Sequence, residues 1–493
     1  MSLIDVVHSF SKYLPKIKPP EKPLGIKEKL LWTGLVLVLY FMMYQTTAFG
    51  VQQVSGGLDF LQTITASRIG SLLTTGIGPI VLSSIFLQLF SGAGIIDLNM
   101  RDKKDKAKFL EVQKVLAITL ALVEAIVFVA VTQIVPVASI PGFSPVLLTL
   151  LVIFQITMGS VVMVFLDELV TKYGIGSGIS LFIAAGVSLS IFMGVVNLVF
   201  NSSTGFLAIM AEGGAEAIPN ALFTLLPFGF TILVFMAVVY AEAVKVEIPI
   251  AFQRVRGMVP KLPLKFFYVS NIPVIFASAL IINIQLFSGG MLSGFYFDEQ
   301  KAPLMDFSAG YDIGKHGIIP LIGYVDSTGR LSDGLLYLFT PVYGMGRTTT
   351  EHWNFLSNAS TPIFGIPEWT HSVVYVILLS LVSVLFGMFW VETANMDAKS
   401  VAGQLSESGI QIPGFRRDPR MLESILHKHI LPLTFMGSFS VGLLAGIADL
   451  TGALGTGTGI LLTVGILYRM YEQLEQMRTF EMYPSISGFL GGE

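Results

Sequence analysis

Two polar residues lie inside long apolar stretches of the sequence, where few kinds of chemistry are possible for their side chains. Glu124 lies near the middle of the stretch 115–135, and Asn283 lies inside the stretch 272–288. A charge at the centre of a membrane helix costs about 2.5–3.5 kcal/mol, so such a carboxyl group has to face a partner or water. We therefore expect Glu124 and Asn283 to form polar contacts between helices, which are either static or able to part.

Residues suited to catalysis, metal binding or nucleotide binding are scarce in the rest of the sequence. The six histidines never show the HExxH spacing of a metalloprotease, and no GxxxxGK[ST] loop is present. The chain has no cysteine, which excludes disulfides and cysteine-ligated metals. The neighbouring carboxylates Asp167 and Glu168 end an apolar stretch, where we interpret them as solvated groups. The sequence therefore predicts no enzyme, no cofactor and no metal site.

The composition predicts a protein that lies largely in a membrane. Hydrophobic residues make up 53% of the 493 positions and charged residues only 13%, whereas soluble domains average about 25% charged residues. A spanning helix needs about 20 apolar residues. We therefore predict an all-α, multi-span membrane protein with ten transmembrane helices. The ten stretches are 30–49, 76–96, 115–135, 146–166, 179–200, 221–241, 272–288, 373–391, 430–450 and 456–470.

The positive charges predict the orientation of these spans. Ten spans place both termini on one side, and that side then holds 25 of the 30 Lys and Arg residues. Cytoplasmic flanks carry such an excess. We therefore expect a multi-pass protein of the cell membrane whose N-terminal segment, 1–29, and C-terminal tail, 471–493, are both cytoplasmic.

The spans divide into two halves, 30–200 and 221–470, joined by an outer hinge loop at 201–220. Five spans in each half make the second half enter the membrane from the opposite face, as in inverted repeats. The second span of each half is broken, by GIGPIV in one and by NIPVIF in the other. Paired breaks indicate a central pathway, although ordinary helix kinks give the same pattern. A long outer loop, 289–371, lies within the second half.

One segment fits poorly as a span although it lies among spans. TITASRIGSLLTTGIGPIVL, at residues 63–82, combines Arg68 with several Ser and Thr residues and contains a Gly and Pro break. Irregular polar backbone is tolerated at membrane depth only where protein buries it or where it lines a cavity. We therefore expect residues 63–75 to lie in a protein-lined cavity, where Arg68 reaches water or a carboxylate.

Six longer motifs resemble the SecY family, the channel-forming alpha subunit of the Sec protein translocon. They are QTITASRIGSLLTTGIGPIV, LDELVTKYGIGSGISLFIAAGVS, VVYAEAVKVEIP, VSNIPVIFASALIINIQLF, MFWVETANMDAKS and GALGTGTGILLTVGILYRMYEQL. These matches are long and collinear, cover most of residues 24–290 and 371–480, and are closest to archaeal members. The resemblance is therefore carried by most of the chain rather than by one short motif.

The resemblance implies a passive channel of two pseudo-symmetric halves, gated by a plug, a pore ring and a signal sequence. Secretory polypeptides would cross through the pore, and transmembrane segments would leave laterally into lipid. The implied partners are small single-span subunits of the SecE/gamma and beta types, the ribosome, signal sequences, nascent polypeptides and membrane lipid. The resemblance implies three sets of channel residues. The pore ring consists of Ile77, Val81, Ile179, Ile183, Ile275 and Leu462. The plug, at about 58–75, is a short helix that includes Thr65, Ser67, Arg68, Ile69 and Leu72, and the plug hinge consists of Gly76, Gly78 and Pro79.

The resemblance also implies a lateral gate between the second and third spans on one side and the seventh and eighth on the other. Glu124 and Asn283 match two members of its polar cluster. The third member, a Thr in some relatives, is Leu82 here, and Ser83 and Ser84 follow it. The inner loops are implied to dock the ribosome through Arg254, Arg256, Arg416, Arg417 and Arg420.

A secondary transporter built as an inverted repeat is the alternative that the residues leave open. It explains the two halves and the broken helices equally well. It also predicts a convergent polar substrate site at mid-membrane, whereas the positions matched to that depth are aliphatic.

Overall fold

The computed structural model of the chain is predominantly helical. It describes residues 14–22, 24–51, 62, 65–92, 103–131, 144–214, 217–249, 251–252, 261–296, 316–326, 331–341, 349–407, 410–411 and 419–482.

Five long helices make up the first predicted half. Their bounds are α1 Ile26–Gln45, α2 Gly78–Gly92, α3 Lys103–Val131, α4 Pro145–Tyr173 and α5 Gly178–Phe200. Helix α3 begins before its predicted span at 115, and α4 continues past its predicted end at 166. Hydropathy marks only the apolar part of such a helix, whereas Lys, Glu, Leu and Ala sustain helical structure beyond it.

The second half contains five more long helices and several short ones. In chain order the remaining helices are α6 Phe206–Glu212, α7 Ala217–Thr224, α8 Leu226–Ala243, α9 Ile272–Tyr296, α10 Ile319–Ile322, α11 Thr349–Asn358, α12 Glu368–Thr393, α13 Ala398–Glu407, α14 Pro419–Leu450 and α15 Gly457–Met482. The predicted hinge loop 201–220 is therefore partly helical, since α6 and the start of α7 lie in it. Helix α14 runs through Pro432 and begins well before its predicted span.

Within the described residues, six helical segments are long and apolar enough to cross a membrane: Ala107–Ala130, Pro145–Tyr173, Gly178–Phe200, Ala217–Ala243, Glu368–Ser406 and Arg420–Leu450. They coincide with the predicted third, fourth, fifth, sixth, eighth and ninth spans. The other four predicted spans coincide with α1, α2, α9 and α15, which do not meet that length and hydropathy within the described residues. The multi-span helical class is thus confirmed, and the count of ten stays a prediction.

Three small antiparallel sheets occur in segments that were predicted as loops. Strands β1 Lys245–Pro249 and β3 Lys261–Lys265 form a hairpin in the inner loop before α9. Strand β2 Ala251–Phe252 pairs with β6 Ile410–Gln411, which joins the two inner loops predicted to dock the ribosome. Strands β4 Tyr324–Val325 and β5 Leu331–Asp333 pair in the outer segment.

The predicted outer loop 289–371 has its own structure where it is described. A 3₁₀ turn, Leu336–Phe339, packs against the outer end of α12. There the Tyr337 hydroxyl donates to the buried Glu368 carboxylate at 3.0 Å. The His371 ring bonds both the Glu368 carboxylate, at 3.0 Å, and the Thr340 carbonyl, at 2.9 Å. These bonds fix the outer segment to the start of the helix that matches the eighth span.

The two halves meet across helices that are distant in sequence. Helix α9 packs against both α2 and α3, and α12 packs against α2. On another side of the molecule α15 packs against α5. A continuous apolar core contains residues of both halves. The interface between the halves therefore consists mainly of the helices to which the predicted pore and gate residues belong.

Candidate functional site

The six residues predicted to form the pore ring all belong to this one apolar core. Ile77, Val81, Ile183 and Leu462 are buried within it. Ile179 and Ile275 are half-buried and pack against it. They come from the start of α2, from α5, from α9 and from α15, so each half supplies two helices. All six predicted positions therefore belong to or border the same apolar core, which contains residues of both halves.

Aliphatic side chains give this region a particular chemistry. Branched hydrocarbon groups form no directional bonds, so they close against one another or against any apolar or mixed surface with similar energy. A narrow apolar constriction also resists wetting by water and ions. Among the described residues, no three His, Asp or Glu side chains cluster in a way that would hold a metal ion. The region is therefore suited to sealing rather than to catalysis.

Polar contacts behind the ring position its first-half members. The Ile179 N–H donates to Asp167 Oδ1 at 2.8 Å, so the Asp167 carboxylate caps the start of α5, where helix donors lack partners. Ile77 N–H donates to the Thr65 carbonyl at 2.8 Å. The hydroxyl groups of Thr75 and Ser160 are hydrogen-bonded to each other, which ties the start of α2 to α4.

The interpretation of Asp167 and Glu168 as solvated carboxylates was wrong. Asp167 is engaged by the start of α5, as described above. Glu168 accepts hydrogen bonds from the ammonium groups of Lys114 and Lys172, each at 2.7 Å, and from the Ile17 N–H at 3.2 Å. Glu168 therefore holds the N-terminal segment against the inner ends of α3 and α4. Sequence reasoning missed both roles. Lys114 and Ile17 lie 54 and 151 positions from Glu168, and the nearby partners Lys172 and Ile179 are reached only through the turn between α4 and α5 and the rotation of α4.

The predicted plug segment consists of turns rather than a helix between residues 65 and 77. Residue 62 is helical, whereas 52–61 and 63–64 lie outside the described residues. The segment pairs with the chain that follows α1: Ala48 N–H donates to the Gly70 carbonyl at 2.9 Å, and Leu72 N–H donates to the Thr46 carbonyl at 3.0 Å. Many of its polar groups are satisfied internally, which removes the need for a regular helix.

The plug segment also makes close contacts with α1, α4 and α5. The Tyr40 hydroxyl donates to the Ala66 carbonyl at 3.0 Å. The Leu72 carbonyl lies so close to the Cα of Gly159 that a β-carbon at that position would overlap it. Ala66 similarly approaches Gly186, where a β-carbon would lie 3.3 Å away. Small residues on α4 and α5 therefore form the seat of this segment.

Arg68 has a protein partner that the sequence did not indicate. Its guanidinium group donates to the side-chain oxygen of Gln45, at the end of α1. Among the other predicted plug residues, Ser67 is buried, whereas Thr65, Ile69 and Leu72 are half-buried. A neutral amide oxygen satisfies the donor without forming an ion pair, so the plug is attached to α1 by a contact that is readily exchanged for water.

The predicted plug hinge lies directly against the predicted gate carboxylate. Gly76 has φ of 54°, a left-handed conformation that favours glycine. Gly78 begins α2, followed by Pro79, and a β-carbon on Gly78 would lie only 2.9 Å from Glu124 Oε2. Glu124 is 3% exposed, and its Oε1 atom has no hydrogen-bond partner among the described residues. The hinge and the carboxylate on α3 thus share one packed contact.

Glu124 and Asn283 are not joined by a hydrogen bond in the described residues. The Asn283 amide donates to the Ala279 carbonyl of its own helix at 2.8 Å. Ser83 is buried and donates to the Ile80 carbonyl at 2.7 Å, whereas Ser84 is half-buried. The helices that carry these residues do pack together, but the polar side chains are satisfied separately or left unpaired.

The predicted ribosome-docking residues are only partly described. Arg254, Arg256, Arg416 and Arg417 lie outside the described residues, and Arg420 is exposed near the start of α14. The nearby hairpin is held by Lys265, whose ammonium group contacts the Glu472 carboxylate at 2.7 Å.

The chain after the hairpin is fixed by a half-buried tyrosine. The Tyr268 hydroxyl donates to the Met396 carbonyl at 2.7 Å. Burial raises the pKa of Tyr268 to about 12, and the charge of Asp397 adds to the shift, so the hydroxyl stays a neutral donor. The two inner loops are therefore linked by this bond as well as by the small sheet.

Comparisons with known proteins agree with this architecture. The SecY family model matches residues 71–471. Protein translocase subunit SecY of Methanocaldococcus jannaschii is 42% identical, over 97% of this chain and 97% of its own length. A solved structure of SecY, reported for the role of its plug domain in the closed translocation channel, has a TM-score of 0.75 and 40% identity, and covers 99% of this chain and 100% of that one. Sec61 in a canine ribosome–channel complex has a TM-score of 0.72 and 40% identity with the same coverage.

These similarities decide between the two classes of protein that the sequence left open. The alignments extend over nearly the full length of this chain and of each relative, so they include both halves and the irregular plug segment. None of these relatives is described as a secondary transporter. At this identity and coverage, the chain belongs to the SecY family.

Proposed function

We propose that this chain is the central pore-forming subunit of a protein-conducting channel. It moves secretory polypeptides across the membrane and releases transmembrane segments laterally into lipid. The observation that supports the proposal is the single apolar core, which contains residues of both halves and to which all six aliphatic positions of the proposed ring belong or pack. Relatives described as protein translocase subunits and as a translocation channel support the same conclusion.

The aliphatic ring explains how one pore accepts many sequences. A translocating chain presents side chains of every size and polarity, and hydrocarbon groups close around each of them without requiring a particular hydrogen bond. The same groups exclude ions when no chain is present, because a narrow apolar passage dewets. Such a channel is passive, so the energy for transport comes from outside this chain.

The plug and the lateral gate are assigned on the same basis. Residues 65–75 would close one mouth of the pore, where their turns rest on Gly159 and Gly186. A signal sequence, itself an apolar helix, would insert between α2 and α3 on one side and α9 and α12 on the other. The missing hydrogen bond between Glu124 and Asn283 supports this assignment, because helices without a polar tie separate at lower cost.

The partners and the location follow from the same family. We place the channel in the cell membrane. We place both termini in the cytoplasm, since the predicted excess of Lys and Arg lies on the same side as the termini. The inner loops would dock the ribosome, as suggested by the ribosome-bound state of the Sec61 relative. Small single-span subunits of the SecE/gamma and beta types would complete the complex.

Crosslinking of a stalled secretory chain tests the channel and the gate together. The chain has no cysteine, so single cysteines introduced at chosen positions carry a photoprobe without background. Probes at Ile179 and Ile275 should crosslink to the mature part of the stalled polypeptide, because these residues line the proposed passage. Probes at Ser84 and Asn283 should crosslink to the signal sequence.

Lipid-facing positions provide the control for this experiment. Leu233 and Met236 on α8 are well exposed, so probes there should crosslink to neither part of the polypeptide. Crosslinks at Leu233 as strong as those at Ile179 would contradict a passage between the halves. A transporter would instead give no polypeptide crosslink at any of these positions.

Charge reversal at Arg416 and Arg417 should weaken ribosome binding. Ribosomal RNA presents phosphate groups that favour Arg. The slope of log K against log salt is negative, and each lost phosphate contact reduces its magnitude by about 0.7–0.9, so the double reversal to Glu should reduce the magnitude by about 1–2. Sedimentation of the purified complex with ribosomes over a salt series measures this slope. Reversal of Lys301 and Lys315, on the predicted outer side, is the matched control and should leave binding unchanged.

A further inference from the structure

Asn271 joins the two helices that carry the second-half members of the ring. It lies immediately before α9 and is 4% exposed. Its Nδ2 donates to the Leu461 carbonyl of α15 at 2.8 Å. Its own carbonyl accepts from the Ile275 N–H at 3.2 Å. One residue is therefore hydrogen-bonded to the ring residue Ile275 and to the residue directly before the ring residue Leu462.

The fit between the two helices at this point depends on a glycine. A β-carbon on Gly465 of α15 would overlap the Asn271 amide nitrogen. Gly465 lies one helical turn after Leu461, and the Leu461 carbonyl also accepts the backbone bond of its own helix there. The amide thus occupies space that only glycine leaves open, and it uses the second lone pair of that carbonyl.

Stability alone does not explain an asparagine at this position. The Asn271 Oδ1 atom is buried and has no hydrogen-bond partner among the described residues. A buried amide oxygen without a partner carries a desolvation penalty, which a leucine of similar volume would avoid. A residue kept at such a cost is better explained by the geometry that its donor imposes than by its contribution to folding.

We infer that Asn271 is a positioning residue of the constriction, which holds Ile275 and Leu462 at a fixed distance so that they move as one unit. This inference rests on the proposed channel function. The ring has no hydrogen bonds of its own, so its aperture is set by the backbones behind it. In the first half, the Asp167 carboxylate accepts from the Ile179 N–H and so fixes the start of one helix, α5. In the second half, Asn271 fixes two helices, α9 and α15, relative to each other.

Electrical recording from the full complex in planar bilayers tests the inference with two variants. Asn271→Leu keeps the volume and removes the donor. Gly465→Ala keeps Asn271 and displaces its amide. Each should raise the resting ion conductance about fivefold, the factor that corresponds to the loss of one net hydrogen bond. Each should also allow transport of a precursor with a weakened signal sequence, while the thermal midpoint of the complex stays near that of the unaltered protein.

Ser278→Ala on the same helix is the matched control. Ser278 is fully buried and its hydroxyl has no partner among the described residues, so its removal should leave conductance and signal stringency unchanged. The inference is overturned if Asn271→Leu folds, transports polypeptide and seals as well as the unaltered channel. It is equally overturned if Gly465→Ala folds and seals normally. If the unaltered protein itself fails to crosslink a stalled chain, the proposed function fails, and that result is distinct from either of these.

Discussion

Deletion of residues 60–73 should raise the resting ion conductance of the reconstituted channel by about tenfold or more, while polypeptide transport continues. A tenfold change corresponds to about 1.4 kcal/mol, which is little more than one net hydrogen bond. The deletion removes several such bonds, including the pairing of Gly70 and Leu72 with the chain after α1. It also removes the Thr65 carbonyl that accepts from the Ile77 N–H, but it leaves Thr75 and its bond to Ser160 in place, so the start of α2 stays attached to α4. Planar-bilayer recording and a protease-protection transport assay measure the two effects.

A single substitution within the plug controls for a general loss of structure. Ile69→Ala shortens a half-buried side chain but preserves the backbone bonds of the segment. It should change conductance far less than the deletion. A deleted channel that remained ion-tight would refute the assignment of residues 65–75 as the plug. A deleted channel that leaked but no longer transported any polypeptide would instead show that the segment is needed to build the pore.

Gly159→Ala should open the same leak without removing any residue of the plug. The β-carbon would overlap the backbone carbonyl of Leu72, and backbone atoms cannot move aside by changing rotamer. Overpacking of this kind costs about 1–3 kcal/mol, which the protein can avoid by displacing the plug. We expect the conductance to rise about tenfold or more, since each 1.4 kcal/mol is a factor of ten. Protease sensitivity of the segment should increase in parallel.

Gly229→Ala is the control for this substitution, because no atom lies within 4 Å of a β-carbon built there. Both changes add one methyl group to a long helix. Only the change at Gly159 should affect conductance. Equal conductance in the two variants, with both complexes folded, would mean that the plug does not rest on α4 in the closed channel.

The contact between Gly78 and Glu124 provides a physical basis for coupling between the proposed plug and the proposed gate. Glu124 belongs to α3, which packs against α9 across the two halves. Its carboxylate also rests on the first residue of α2, at the end of the plug hinge. A shift of α3 away from α9 therefore changes the packing of the hinge at the same time. In the proposed channel, this contact would connect lateral opening with release of the plug.

Several features of the protein follow from the sequence by itself. The membrane class follows from composition, because a chain with so few charges has to place most of its surface in lipid or against other apolar helices. The predicted orientation rests on the distribution of Lys and Arg. The irregularity of residues 65–75 follows from their polarity, since such residues do not form a lipid-facing helix. These properties depend only on residue types and their order in the chain, so each can be predicted without knowing which helices are in contact.

The tertiary structure alone decided the contacts between distant segments. Asn271 and Leu461 are separated by 190 positions, and Thr75 and Ser160 by 85. Hydropathy gives neither the rotation of a helix about its axis nor its neighbour, and these two quantities determine whether a polar side chain finds a partner. Sequence reasoning therefore misjudged Asp167 and Glu168, left Arg68 without its glutamine, and passed over Asn271. The apolar spans were predicted because burial in a membrane depends on residue type, whereas the polar contacts that set the pore depend on how the spans are packed.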